Sequence, residues 1–192
     1  RELARAELGP VWLVVGHLAD QVEALAGDGS AFGVEIRAVQ QPEPLGSADA
    51  VARAVEAGAR PPVLVMAADT VFRAGDLTRF AAAYAESGTS GAIAVRREPP
   101  PGPGRTAVAI NDGFVEHVRT NDPAAALSGA PLWALGEPIV ARLRCDREPY
   151  ELGNSFQAAI DAGEQVAAIE IGRTRDLTDP LDLVEENFPY LA

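Results

Sequence analysis

Asp69 closes the apolar run Val63-Leu64-Val65-Met66-Ala67-Ala68, and that placement makes it the first candidate for chemistry. A buried strand ending on a carboxylate presents that group beyond the carboxyl end of a sheet, where open α/β sheets hold ligands. A carboxylate is a hard oxygen ligand, and magnesium favours one or two of them, completed by substrate phosphates and water. Asp is also a common turn former, so position alone leaves a turn and a metal ligand on equal terms. One crossover earlier, Gln41-Pro42-Glu43-Pro44-Leu45-Gly46-Ser47 reads as a strand exit, a rigid proline loop and a helix start. The Gln41 amide offers a donor and an acceptor, which match the edge of uracil or thymine. Gly46 lets the backbone approach a flat ring with no Cβ in the way. Ser47 is placed to cap the helix, leaving an N-terminus that favours phosphates. The plain alternative is a solvated glutamine followed by an ordinary cap.

These residues need a frame, and the hydrophobic pattern supplies one. Residues 1–8 read as the end of a helix resting on Leu3 and Leu8. Residues 11–15 form a continuous apolar run between Pro10 and Gly16, the pattern of a parallel strand buried on both faces. Leu18, Val22 and Leu25 then recur at helical spacing until Gly27 and Gly29 stop them. A strand at 34–39 and an Ala-rich helix at 47–57 lead to the run that ends on Asp69. Such a β-α-β-α-β order implies right-handed crossovers and a parallel sheet. A helix at 77–85 and a strand at 91–95 continue the alternation. The proline-rich stretch from Pro99 to Gly104 breaks it. Strands at 106–110 and 114–118 flank Asn111-Asp112-Gly113, a hairpin signal. A strand at 132–135, helices at 137–143 and 152–162, and a strand at 166–171 follow. Asp179, Pro180 and Asp182 mark the start of the last helix. With no internal repeat or long linker, residues 1–192 read as one α/β domain. A three-layer α/β/α sandwich on a mostly parallel mixed sheet is expected, with the hairpin at one side.

Composition narrows the function. The 192 residues are 47% hydrophobic, enough for one sizeable core. The net charge of −12 argues against a nucleic-acid partner, which needs clustered positive charge. All 16 basic residues are arginine, so a lysine required by phosphoryl transfer has to come from elsewhere. No apolar run is long enough to span a bilayer, and no charged-then-apolar leader opens the chain. Cys145 is the single cysteine, which suits a reducing, cytoplasmic setting. His17 and His117 share no metal-binding spacing. Trp12 and Trp133 read as core residues, and the Arg96-Arg97 pair as solvated.

The Gln41 to Ser47 loop followed by the strand ending at Asp69 resembles the nucleotide-binding half of the sugar-1-phosphate nucleotidyltransferases. The likeness is to the glucose-1-phosphate thymidylyl- and uridylyltransferases. It implies a Rossmann-like, nucleotide-diphospho-sugar transferase fold, with Gln41, Gly46 and Ser47 at the nucleotide. Near the end of the chain, Arg173-Thr174-Arg175-Asp176-Leu177-Thr178-Asp179-Pro180 stands where the family reads Trp-x-Asp-Val-Gly-Thr-Pro. Asp176 matches the motif Asp, and Leu177 and Pro180 match its Val and Pro. The resemblance therefore implies that Asp69 and Asp176 together hold a catalytic Mg2+. On residues alone, Asp176 is equally a loop carboxylate beside Arg173 or Arg175. Gly129 and Ala130 fall where the family has its Ala-Gly sugar loop.

Three departures qualify the likeness. Thr120 and Asn121 stand where a Glu-Lys pair would take the sugar and its phosphate. Thr174, Thr178 and Asp179 replace the motif's Trp, Gly and Thr. The family's opening Gly-x-Gly-Thr-Arg loop and its lysine are not among these residues. The domain is thus expected to be N-terminally incomplete and catalytically silent alone. The implied reaction joins a nucleoside triphosphate to a sugar phosphate with release of pyrophosphate. The implied partners are those two substrates, with no nucleic acid and no membrane, and a homo-oligomer stays open. Two alternatives remain: a non-catalytic or regulatory nucleotide-binding domain, and transfer to a non-sugar phosphate acceptor.

Overall fold

A computed structural model of the chain describes residues 2–97, 106–120, 126–177 and 180–187. The first third holds α1 (Glu2–Arg5), β1 (Val11–Val15), α2 (Ala19–Ala26), a 3-10 turn at Ser30–Phe32, β2 (Ile36–Gln40) and α3 (Ser47–Glu56). Next come β3 (Val63–Met66), β4 (Thr70–Val71), α4 (Asp76–Ser87) and β5 (Gly91–Arg96). The remainder is β6 (Thr106–Asn111), β7 (Phe114–Thr120), β8 (Leu127–Leu135), α5 (Glu137–Val140), α6 (Leu152–Asp161), β9 (Val166–Glu170), β10 (Arg175–Asp176) and α7 (Pro180–Asn187). Asn121, Asp179 and the proline-rich stretch lie outside the described residues.

Six strands form one mixed sheet in the order β3-β8-β5-β9-β7-β6, with β6 also touching β8. Its β5–β9 pairing is parallel and its others antiparallel. Strands β1 and β2 pair in parallel as a separate ribbon, and β4 pairs antiparallel with β10.

The side-chain period of two builds the three layers. Along β5, Ile93 and Val95 face a core made with Val51 of α3, Ile139 of α5, and Leu152 and Phe156 of α6. Ala92 and Ala94 face the other side, where Leu77 and Phe80 of α4 pack. Strand β8 repeats the split: Trp133 and Leu135 go to the first face, Leu132 and Ala134 to the second. The first face carries the bulk, including Trp133 against Phe156 with ring centroids 5.0 Å apart. Alanines on the second face let α4 lie close. The expected α/β sandwich is therefore present, and the hairpin sits at the sheet edge. Its two-residue turn places Asp112 at φ 48° and Gly113 at φ 82°, as a type I′ turn requires.

The first ribbon departs from expectation. Four of the five β1 residues are only half-buried, although the run is uniformly apolar. Leu18, which precedes α2, and Val22 and Leu25 on it are 52%, 37% and 80% exposed, so the apolar stripe faces outward. The cause is pairing. Among the described strands, β1 bonds only to β2 and β3 only to β8, leaving one edge of each open. Trp12 accordingly lies half-buried beneath the Arg37 guanidinium at 5.1 Å, whereas Trp133 is core.

Candidate active site

Gln41 extends the first ribbon by one bond, its N–H donating to the Val15 carbonyl at 2.7 Å. Its side chain then folds back. Nε2 donates to the Gly46 carbonyl at 3.0 Å and to Asp49 Oδ2 at 2.9 Å, so both amide protons are engaged internally. Only Oε1 remains for a ligand, and the residue offers an acceptor rather than the donor–acceptor pair read from its type. Asp49 fixes this orientation. It is buried and also accepts from Arg53 Nε at 2.7 Å and from Arg144 Nε and Nη2 at 2.9 and 2.6 Å. Burial alone would raise its pKa; bonds from Arg53, Gln41 and Arg144 overcome that and bring it to about 2. An ionised carboxylate only accepts, so the amide cannot turn round. Sequence reasoning missed Asp49, whose one local signal is Arg53 four positions on.

Gly46 and Ser47 serve the fold more than an open pocket. Gly46 adopts φ 107°, ψ 170°, and a Cβ there would lie 2.3 Å from the Tyr150 carbonyl oxygen. The close approach that demands glycine is thus the chain's own backbone, not a nucleobase. Tyr150 donates to the Leu45 carbonyl and accepts from Ala48, each at 2.7 Å, which ties the segment before α6 along the loop. The Ser47 hydroxyl accepts from Leu152 N–H at 2.9 Å and donates to Glu151 at 2.5 Å. It caps α6 rather than its own helix, whose N-cap is Gly46 without a side-chain bond. With Glu151 at this position, the start of α3 is not prepared for a phosphate.

Asp69 and Asp176 do meet at the level of the backbone. The Asp69 carbonyl accepts from Leu177 N–H at 2.7 Å, and Thr70 pairs with Asp176 in the β4–β10 ribbon. Their carboxylates differ in circumstance. Asp69 is exposed, and its carboxylate makes no hydrogen bond or ion pair among the described residues. Asp176 accepts from Thr70 Oγ1 at 3.1 Å and from Arg96 Nη1 and Nη2 at 3.4 and 3.2 Å. Arg96 is 2% exposed, so the expectation that it is solvated is wrong. Only Arg97 is exposed, and it pairs with Glu170. A magnesium ion, as the resemblance implies, would meet an unengaged carboxylate at Asp69 but one already held by Arg96 at Asp176. No group of three His, Cys, Asp or Glu side chains gathers for a metal among the described residues.

Gly129 and Ala130 lie inside β8, not in a loop. Gly129 stands opposite Val95, and the β5–β8 register shifts between Ile93 and Val95. Pro131 accepts from Ala67 N–H at 3.0 Å, which places this irregular stretch beside the approach to Asp69. Ala130 is buried on the α4 face. Thr120 lies at the end of β7. Beside β10, Val71, Phe72, Arg73, Arg173, Thr174 and Arg175 line a cavity of about 310 Å³. Thr174 Oγ1 is buried there without a hydrogen-bond partner among the described residues. The Arg73 side chain crosses Gly172, where a Cβ would lie 2.7 Å from Arg73 Cδ.

Residues 2–116 match the nucleotidyl transferase family. No curated protein sequence matches the chain at a significant level. Among solved structures, one described as a glucose-1-phosphate thymidylyltransferase from Bacillus anthracis superposes with TM-score 0.84 at 14% identity, covering 97% of this chain and 78% of that one. The inositol-1-phosphate CTP transferase of T. maritima gives 0.74 at 17%, covering 94% and 75%. A UDP-glucose pyrophosphorylase from Acinetobacter baumanii gives 0.73 at 19%, covering 99% and 79%. At these identities the superpositions establish the fold. The family match, which takes in more than half of the sequence and both the Gln41 loop and Asp69, establishes the rest: the chain belongs to the nucleotidyl transferase family.

Proposed function

We propose that this domain transfers a nucleoside monophosphate from a nucleoside triphosphate to a sugar 1-phosphate, releasing pyrophosphate. One observation carries the reading: within a nucleotidyl transferase fold, an exposed, unpartnered Asp69 follows the end of β3. The attacking phosphate oxygen is already anionic, so no general base is needed. The protein's task is to align attacker and leaving group and to neutralise charge. Gln41 Oε1 would accept from a base N–H. Asp69 would hold a hydrated magnesium ion, which when bound screens the charge of the phosphates. Arg73 and Arg173, lining the cavity beside β10, are cations available in a chain without lysine. Among the described strands, the open edges of β1 and β3 leave room for a further strand, which the family's glycine-rich loop would follow.

The test is pyrophosphate release from each common nucleoside triphosphate with a panel of sugar 1-phosphates and inositol 1-phosphate. The 192-residue chain is assayed side by side with any longer polypeptide that contains it. Release by the longer protein, abolished by Asp69→Asn, is the expected result, with the short chain silent. Nucleotide binding without turnover by either would sink the enzyme reading. It would favour a non-catalytic nucleotide-binding domain, for which the engaged Asp176 already speaks.

A further inference from the structure

Arg96 is the least expected side chain of the site. It ends β5, a strand of glycine, alanine and aliphatic residues, and its side chain is 3% exposed. A buried guanidinium persists only if its charge is matched and its N–H groups are bonded. Nη1 and Nη2 meet Asp176, whereas Nε is buried with no partner among the described residues. Asp176 is thus Arg96's only ion pair among those identified in the structure. A divalent ion that took the Asp176 carboxylate would leave a buried, already under-bonded cation with no counter-ion among the described residues. It would also be repelled by that cation at close range. Nothing comparable protects Asp69.

We infer that Arg96 is the built-in cation of this site: it holds the Asp176 carboxylate, so that a divalent ion meets Asp69 alone. Asp176 is then a positioning residue that ties β10 to β4 and β5. A site with one carboxylate relies on the other oxygens the ion brings, so metal binds the bare chain weakly and more tightly together with phosphates. The inference stands on the contacts of Arg96 and does not depend on which reaction the domain performs.

Manganese is the probe, titrated into the 192-residue chain without nucleotide and followed by the electron paramagnetic resonance of the free ion. Asp176→Asn keeps an oxygen for Arg96 and Thr70 and should weaken binding only slightly, through the unmatched Arg96 charge, whereas Asp69→Asn should remove binding. Arg96→Met frees Asp176 and should tighten binding by about tenfold or more. That gain should vanish in the Arg96→Met, Asp176→Asn double variant. A loss with Asp176→Asn as complete as that with Asp69→Asn would show that Asp176 ligates despite Arg96, and would overturn the inference. So would an Arg96→Met chain that folds and binds no better than the native one. If that variant does not fold, the Asp176→Asn comparison decides.

Discussion

Replacing Asp49 by Asn should cost this domain about 2 kcal/mol at neutral pH, because the carboxylate is ionised more readily in the fold than outside it. Its pKa falls from 3.8 to about 2, and each unit is worth about 1.4 kcal/mol. The sign follows from the direction. A depressed carboxylate stabilises fully above its unfolded value and loses that contribution as pH falls through the folded one. The relevant window is therefore from about pH 4 down to about pH 2. At pH 3 about half of the contribution should remain. Arg53 and Arg144 keep 28% and 36% side-chain exposure, so both can be rehydrated in the variant. That keeps the loss below the 3–5 kcal/mol or so of a fully buried pair broken on one side. Urea unfolding of native and Asp49→Asn chains at pH 7 and pH 3 measures both quantities. A difference below about 0.5 kcal/mol at pH 7, or one equally large at pH 3, would refute the reasoning.

Three further outcomes follow from the same contacts. Ser47→Ala removes the hydroxyl that caps α6 and should lower stability by about 1 kcal/mol, with faster amide exchange at Leu152. Gly46→Ala puts a Cβ against the Tyr150 carbonyl at a φ that L residues avoid; urea unfolding should show a loss of about 3 kcal/mol or more. Phe156→Ala empties a fully buried position against Trp133 and should lower stability by about 3–5 kcal/mol in the same assay.

What the sequence disclosed was local. Runs of apolar residues, glycine stops and the Asn111-Asp112-Gly113 turn placed most of the described elements to within a few residues, because each follows from neighbours along the chain. The position of Asp69 just past β3 was legible for the same reason. The short β4 and β10 were not foreseen, and β8 begins at Leu127 rather than at Leu132. Contacts between distant segments were not. Arg96 reads as half of a solvated pair until β10 brings Asp176 to it, and Ser47 as a cap for its own helix until Leu152 arrives. Gly129 and Ala130 suggest a loop by type, yet they continue β8 through an irregular register. For residues 11–15, apolarity correctly signalled a strand, but burial depends on edges that no single strand encodes.

The central claim is that this domain holds a nucleotide with its base at Gln41, and calorimetric titration with the common nucleoside triphosphates tests it most directly. With magnesium present, at least one triphosphate should bind the native chain, and Gln41→Ala should weaken it about tenfold by removing the Oε1 acceptor. Binding that is indifferent to Gln41→Ala, or no binding by any of the triphosphates, would contradict the account.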